Sequence, residues 1–317
     1  MIQAIACIGE CMEEQHSQPS FNEPFRCGGD VYNTAVYMKR SLHNGGKISF
    51  ITALGHDPLS STLLGEWQKE DIDCELVGCV EGKQPGQYQI HLTADGERSF
   101  SYNRDDSAAR YMFTAGLEPE QRVKLQQSFD LYYLSGITLA ILDDHSRRLL
   151  LDILQQAKRR GAQIAFDSNY RPTLWSSTEE AQQCIAEVLS LTHTALLSQD
   201  DEAALYGGTE LSQILKRLEN IPEVVIKQGE RGCFVRSTTV EKQIPAIPVK
   251  NVLDTTAAGD AFNGAYLAAR IANKSIENAI HCAQQMASIV VSYPGAIIPR
   301  YLPKNSQLKG KDNQSIW

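Results

Sequence analysis

From about residue 130 onward, short apolar runs alternate regularly with segments of helical periodicity. Strands that are separated by helices usually pair in parallel, so this rhythm favours a parallel sheet with helices on both faces. The predicted strands are 131–135, 163–167, 194–197 and 224–227, and the predicted helices are 143–160, 178–191, 260–271 and 275–291. The second half of the chain therefore predicts an α/β fold.

The first half of the chain begins with the same alternation of predicted strands and helices, but a group of short strands then interrupts it. Strands are predicted at 2–8 and 48–53, with a helix capped by Asp30 at 30–41 and a helix opened by Pro58 at 58–70. Short strands joined by turns are predicted next, at 74–80, 86–93 and 98–103. We interpret about 11–27 and 73–103 as a small β-sheet lid inserted into one domain, 1–303. A Lys-rich tail, 304–317, is predicted to be disordered.

Composition excludes several classes of protein. The length of 317 residues would allow two domains, but one large α/β domain also fits. A net charge of −8 without a basic run argues against binding to nucleic acid or to an anionic membrane. The eight cysteines are scattered without a C-x-x-C pair, which favours reduced thiols in a cytoplasmic protein. No signal peptide and no apolar run of membrane-spanning length is found.

The stretch 254–260 reads Asp-Thr-Thr-Ala-Ala-Gly-Asp and leads directly into a segment of helical periodicity. Its small residues predict a tight turn that feeds a helix N-terminus, where free N–H groups attract anions and above all phosphate. Asp260 would place a carboxylate beside that anion. A phosphate cradle with an adjacent carboxylate is what phosphoryl transfer to a hydroxyl requires. The alternative is an ordinary glycine turn capped by Asp260.

Gly28-Gly29-Asp30 and Asn33 precede and open the first predicted helix. Two glycines let the backbone approach a ligand closely, and Asp30 and Asn33 can hydrogen-bond to hydroxyl groups. The alternative is a turn with Asp30 as an N-cap.

Two arginines point to an acidic ligand. Tyr102 and Arg104 share one face of a predicted lid strand, near Tyr88 on another, and Arg171 lies just past the carboxyl end of a strand. Arginine pairs with carboxylates in a bidentate manner, so two arginines at one pocket favour a ligand that carries a carboxylate. The alternatives are a solvated strand face for Tyr102 and Arg104, and an ion pair with Asp167 for Arg171.

The segment 226–232 ends one predicted strand and leads to the next apolar run. It contains Lys227, Gly229 and Gly232, and its glycines suit a turn over a nucleotide's phosphate or ribose. A simple hairpin-like turn is the alternative. The chain has neither the P-loop pattern nor the dinucleotide-binding G-x-G-x-x-G pattern, so it fits P-loop kinases and dehydrogenases poorly.

Taken in order, these segments resemble the ribokinase-like carbohydrate kinases over roughly residues 3–300. The matching pieces are 8–10 (Ile-Gly-Glu), 28–33, 227–232 and 254–260. Within that family, the chain most resembles the kinases of 2-keto-3-deoxygluconate, on the segments 28–34, 102–104, 167–175, 254–260 and 295–300. The resemblance implies a three-layer α/β/α fold with a mostly parallel central sheet and a β-lid that often serves as a dimer contact. It also implies ATP and Mg²⁺ as partners in the chemistry, with a monovalent cation left open.

The resemblance also implies roles for individual residues. Asp260 would be the catalytic base, with Ala257, Ala258 and Gly259 around the transferring group. Substrate contacts would be Gly28, Gly29, Asp30, Asn33, Tyr88, Tyr102, Asn103, Arg104, Arg171 and Asp260, and nucleotide contacts would be Asn169, Tyr170, Arg171, Ser198, Lys227, Gly229, Gly232 and Gly259. Metal ligands are not assigned. The chain departs from the family pattern at Ala257, where G-A-G-D begins with Gly, and at 198–201, where N-x-x-E reads Ser198-x-x-Asp201.

The resemblance therefore implies transfer of the γ-phosphoryl group of ATP to the terminal hydroxyl of 2-keto-3-deoxygluconate, a sugar acid. Asp260 is expected to be a weak base, because its ordinary pKa is about 3.9 and a helix N-terminus favours the anion further. The alternatives are a kinase of a neutral sugar such as fructose or ribose or of a nucleoside, a sensor without catalysis, and a nicotinamide-dependent oxidoreductase. A homo-oligomer is expected, either a dimer through the lid or a larger assembly.

Overall fold

The structure is a computed structural model that describes residues 2–16, 25–42, 46–92, 98–208 and 210–300. Its strands are β1 Ala4–Ile8, β2 Met12–His16, β3 Cys27–Gly28, β4 Lys47–Leu54, β5 Val77–Cys79, β6 Gln87–Leu92, β7 Arg98–Asn103, β8 Leu131–Ser135, β9 Gln163–Asp167, β10 Thr194–Ser198, β11 Glu223–Lys227, β12 Cys233–Ser237 and β13 Glu241–Ile244. Its helices are α1 Asp30–Ser41, α2 Pro58–Lys69, α3 Pro119–Gln127, α4 Gly136–Ile141, α5 Asp144–Arg159, α6 Thr178–Leu189, α7 Gln199–Tyr206, α8 Leu211–Arg217, α9 Ala258–Ile271 and α10 Ile276–Val290. The predicted tail, 304–317, lies outside the described residues.

Nine strands form one large sheet in the order β13-β12-β11-β10-β9-β8-β1-β4-β5. All its neighbouring pairs are parallel except β11–β12 and β12–β13. The prediction of a mostly parallel central sheet is therefore confirmed.

Helices cover both faces of this sheet because its strands are apolar on both sides. In β1, Ile5 and Cys7 face the core formed with α1, α2, α9 and α10, whereas Ala6 and Ile8 face the core formed with α3 to α8. This period-two alternation in a doubly covered sheet is what buried parallel strands show. The three-layer α/β/α fold is confirmed.

Capping side chains explain why the predicted helix bounds are close to those observed. Asp143 accepts from the N–H of Ser146 at the start of α5, and Asp57 accepts from that of Ser60 at the start of α2. The prediction that Asp30 caps α1 is wrong, because Gly29 is the N-cap and Asp30 is the first helical residue. The side chain of Asp30 is therefore available to the site.

A smaller sheet has the strand order β3-β2-β6-β7 and corresponds to most of the predicted lid. The predicted lid was too long at 73–80, because β5 pairs with β4 at the edge of the large sheet. Backbone hydrogen bonds of Asp73 with Ile48 and Phe50 already tie the chain to β4 before β5 begins.

Helices α1 and α9 pack directly on one another, and this contact sets the geometry of the site. A Cβ on Gly264 of α9 would lie 2.6 Å from the carbonyl oxygen of Thr34 in α1, so only glycine permits this approach. The Thr34 hydroxyl also donates a hydrogen bond to the carbonyl oxygen of Asp260 over 3.2 Å. The first turns of both helices therefore face the same space.

None of the helices in the described ranges combines the length and apolar character that crossing a bilayer requires.

Candidate active site

A cavity of about 1150 Å³ lies where the carboxyl ends of the large sheet's strands meet the first turns of α1 and α9 and the small sheet. Ligands of open α/β sheets bind in this position. It is lined by the predicted residues Gly28, Gly29, Asp30, Asn33, Tyr88, Tyr102, Arg104, Asn169, Arg171, Ser198, Lys227, Gly229, Gly232, Ala257, Ala258, Gly259 and Asp260. Segments more than two hundred residues apart in sequence are thus brought together.

Two predicted contacts lie elsewhere. Asn103 lines a separate cavity of about 490 Å³ and does not line the main one. Tyr170 is buried among the apolar residues of the α3–α8 face, with its hydroxyl 3.5 Å from Thr178. Neither side chain lines the main cavity, so the roles of Asn103 as a substrate contact and of Tyr170 as a nucleotide contact stay predictions without support from its lining.

The first turn of α9 offers backbone N–H groups to the cavity. Ala257 is the N-cap and has a left-handed conformation, with φ 60° and ψ 12°, so its methyl group carries some backbone strain that glycine would avoid. The N–H of Ala258 donates to the carbonyl of Thr255 over 3.2 Å, so this predicted anion donor is engaged within the turn. The amides of Gly259 and Asp260 precede the first i→i−4 hydrogen bond, which Ala261 donates to Ala257.

Asp260 lies in this turn and is only partly exposed to the cavity. Its carboxylate accepts a hydrogen bond from the side-chain amide of Asn33 over 2.9 Å. Burial, followed by the negative charge of Asp30, raises the pKa of Asp260 to about 7. The expectation that the helix N-terminus keeps this pKa low is wrong, because desolvation and nearby carboxylates outweigh the helix dipole. A base with a pKa near neutrality is well matched to proton transfer.

A buried polar network stands behind α9. The ammonium of Lys227 lies 3.0 Å from Asp167 Oδ2 and 3.1 Å from Asn263 Oδ1. Asn263 Nδ2 donates to Asp167 over 2.6 Å and to the hydroxyl of Tyr133 over 3.1 Å. Sequence reasoning missed Asn263, although an asparagine inside the apolar run 261–269 is a signal, since a buried polar side chain needs a reason.

Both predicted arginines line the cavity, but they differ in exposure and in their ion pairs. Arg171 is half exposed and its guanidinium lies 3.5 Å from Asp201; its predicted alternative partner, Asp167, pairs with Lys227 instead. Arg104 is 5% exposed and forms an ion pair with Glu10, which is 1% exposed and also accepts from Ser107. Arg171 is therefore more available to an acidic ligand than Arg104, whose charge is already balanced.

Two further side chains that line the cavity are held by hydrogen bonds. The Tyr88 hydroxyl donates to Glu14 over 2.6 Å, and burial raises the pKa of Tyr88 well above its ordinary value. The side-chain amide of Asn169 donates to Asp30 over 2.7 Å. Asn169 was predicted as a nucleotide contact, but its side chain contacts Asp30, which was predicted as a substrate contact.

Part of the cavity lining is apolar, and sequence reasoning did not predict it. It is formed by Ala246, Ile247, Pro248, Val249, Val252, Phe262, Ala287 and Val291, together with the polar Gln284 and Ser288. Gly229 and Gly232, with φ of 58° and 92°, form the turn of the β11–β12 hairpin beside it. The turn of the β11–β12 hairpin therefore forms part of the cavity wall.

Residues 2–304 match the pfkB family of carbohydrate kinases. The chain belongs to that family. This pfkB kinase is 42% identical over 304 residues to a 2-dehydro-3-deoxygluconokinase of Dickeya dadantii, covering 93% of this chain and 96% of that protein.

Solved structures share the fold of this pfkB kinase. A 2-dehydro-3-deoxygluconokinase of Thermotoga maritima superposes with a TM-score of 0.78 at 20% identity, covering 94% of this chain and 95% of that one. A protein of Escherichia coli assigned as a ribokinase II, in complex with ATP and Mg²⁺, superposes with a TM-score of 0.79 at 21% identity, covering 93% and 94%.

Proposed function

We propose that this pfkB kinase transfers the γ-phosphoryl group of ATP to the terminal hydroxyl of 2-keto-3-deoxygluconate, also called 2-dehydro-3-deoxygluconate. One observation carries the proposal. The Asp260 carboxylate and the N–H groups of Gly259 and Asp260 border the same cavity as Arg171 and the lid tyrosines. The identity to the Dickeya dadantii enzyme along nearly the whole chain supports this choice of sugar acid.

The chemistry follows from the placement of these groups. The sugar hydroxyl oxygen forms a bond to the γ-phosphorus, the bond from that phosphorus to the bridging oxygen breaks, and ADP leaves. Asp260 accepts the hydroxyl proton, late in a loose transition state. The amides of the α9 first turn and the ammonium of Lys227 stabilise negative charge on the moving group.

The lining of the cavity suits both substrates. The apolar lining residues, among them Val249 and Val252, suit a nucleobase, which has apolar faces and a few polar edges. Asp30, Asn33 and Arg171 suit a polyhydroxy acid, because carboxylate, amide and guanidinium groups match hydroxyls and a carboxylate.

The residues also fit Mg²⁺. Among the described residues, no group of three or more His, Cys, Asp or Glu side chains could hold a metal alone. Mg²⁺ needs no such cage, because it keeps several waters and binds one or two carboxylates plus substrate phosphates. Burial and the charge of Asp167 raise the pKa of Asp201, which a cation would counteract. Asp201 would hold the ion, and the ion would neutralise charge on the nucleotide phosphates when bound.

A substrate panel tests the proposed function. ADP release would be measured with the purified full chain, ATP and Mg²⁺, with 2-keto-3-deoxygluconate, fructose, ribose and a nucleoside as acceptors. The expected result is a kcat/KM for the sugar acid well above that for every neutral acceptor. Preference for a neutral acceptor would support the alternative sugar kinase, and absence of ADP release with every acceptor would support a sensor.

Replacing Arg171 with alanine is expected to raise the KM for the sugar acid roughly 10- to 100-fold, with a smaller effect on ATP. A hydrogen bond to a charged group contributes about 1.5–3 kcal/mol, and this exposed guanidinium is the freer of the two arginines. Steady-state kinetics with each substrate varied would measure it. Arg148→Ala, at an exposed arginine of α5, is the matched control. An unchanged KM for the sugar acid in Arg171→Ala would remove this residue from the site.

Assembly and location stay predictions. Tyr102 on β7 is 56% exposed, which is consistent with a contact through the small sheet. We expect a homo-oligomer in the cytoplasm.

A further inference from the structure

Asn263 does not reach the cavity, yet it contacts two groups that border the reaction site. It is fully buried in α9, three residues after Asp260 and therefore on the same side of the helix. Its side-chain oxygen accepts from Lys227 over 3.1 Å, and its nitrogen donates to Asp167 and Tyr133. Every polar atom of this side chain is therefore engaged.

These contacts allow only one orientation of the Asn263 amide. If the amide were rotated by half a turn, its NH₂ group would face the ammonium of Lys227 and its oxygen would face the carboxylate of Asp167. Both arrangements are repulsive, because an ammonium has no acceptor and a carboxylate has no donor. The side chain therefore presents a fixed acceptor to Lys227.

The ammonium of Lys227 is held on two sides. It carries three donors, of which Asp167 takes one over 3.0 Å and Asn263 takes a second. The Lys227 side chain keeps 15% of its surface exposed and lines the cavity. A Cβ added to Gly259 would lie 3.7 Å from Nζ, so the ammonium borders the first turn of α9.

We propose that Asn263 is a positioning residue for phosphoryl transfer. It holds the Lys227 ammonium beside the amides of the α9 first turn, so that the third donor faces the transferring group. Without Asn263, Asp167 alone would hold the ammonium and draw it away from that turn. The inference rests on the proposed function, since it assigns a role in that reaction.

The position of Lys227 also affects the base. Asp260 is surrounded by Asp30 and Tyr37 of α1, Tyr133 of β8, Asp167 of β9 and Lys227 of β11. Lys227 is the only cation in this set, and its charge lowers the pKa of Asp260. A displaced Lys227 would therefore leave Asp260 with a higher pKa, which gives the inference a readout that loss of stability alone would not produce.

The experiment compares Asn263→Ala with Tyr266→Phe in the full chain. Tyr266 lies in the same helix and loses one buried hydrogen bond, to Glu223, without contacting Lys227. Asn263→Ser serves as a second variant that leaves a smaller cavity. We would measure kcat, KM and their pH dependence with ATP and the sugar acid, and thermal stability in parallel.

For both Asn263 variants we expect kcat to fall roughly 10- to 100-fold, by analogy with the loss of residues that orient catalytic groups. The KM for the sugar acid should change little, and the acid limb of the kcat profile should move to higher pH. Tyr266→Phe should lose stability without that pH shift.

If both Asn263 variants kept the wild-type pH profile, or lost no more activity than Tyr266→Phe, Asn263 would be structural only and the inference would be overturned. A wild-type protein that releases no ADP with any acceptor would instead overturn the proposed function, and the inference with it. ADP release by the wild-type protein therefore distinguishes failure of the inference from failure of the proposed function.

Discussion

Replacing Asp260 with asparagine is expected to lower kcat roughly 10²- to 10⁴-fold, the usual contribution of a general base. Asparagine has nearly the same shape and can still accept the hydrogen bond that Asn33 donates over 2.9 Å. The affinities for ATP and the sugar acid should therefore change little. Single-turnover kinetics with ATP would separate the chemical step from binding. A variant that kept near-normal turnover would show that Asp260 is not the base.

The pH dependence of the wild type is the companion result. Asp260 accepts a proton only when it is ionised, and its pKa is raised to about 7 by burial and by the charge of Asp30. Below that pH, kcat should therefore fall about tenfold per pH unit, since the ionised fraction does so. The residual activity of Asp260→Asn should lack this limb.

Stability provides the control that Asp260→Asn is folded. The pKa of Asp260 is higher in the folded protein than its ordinary value, so the folded state binds the proton more tightly than the unfolded chain. The free energy of unfolding should therefore decline as pH rises from about 4 towards 7 and level off above. Asparagine cannot ionise, so the variant should be at least as stable as the wild type at neutral and alkaline pH. Denaturant unfolding at several pH values would measure this.

Periodicity and capping residues made the fold predictable from the sequence. The β/α alternation after residue 130 corresponds to the observed parallel strands, and Pro58 and Asp143 mark helix starts that local chemistry determines. The β4–β5 pairing was not predictable in the same way. A strand of three residues, Val77–Cys79, carries no signal of which sheet it joins, and the backbone contacts of Asp73 decide it.

The site was predictable where a role depends on residue type and less so where it depends on surroundings. Asp260 and Arg171 could be proposed from their motifs, but the raised pKa of Asp260 could not be foreseen, because it depends on burial and on Asp30, a residue distant in sequence. Glu10 and Asn263 act through buried contacts whose partners lie about 94 and 36 residues away. Such partners become visible only once the chain is folded.

Replacing Glu10 with alanine is expected to lower the free energy of unfolding by about 3–5 kcal/mol, the usual cost of leaving one member of a buried ion pair without its partner. Glu10 and Arg104 are 1% and 5% exposed, so water cannot take the place of the carboxylate. Denaturant unfolding would measure the loss. The control is Lys69→Ala, which breaks an ion pair with Glu66 whose members are 71% and 33% exposed. It should cost less than about 1 kcal/mol.

A double replacement separates the structural role of this pair from a role in binding. Buried ion pairs can often be exchanged for apolar residues of similar volume without loss of stability. Glu10→Leu combined with Arg104→Met should therefore recover much of the stability that Glu10→Ala loses. If Arg104 also contacts the sugar acid, the double variant should still show a raised KM for that acid, with the KM for ATP unchanged. Recovery of stability together with a wild-type KM would assign Arg104 to the junction of β1 with the small sheet and leave recognition of the carboxylate to Arg171.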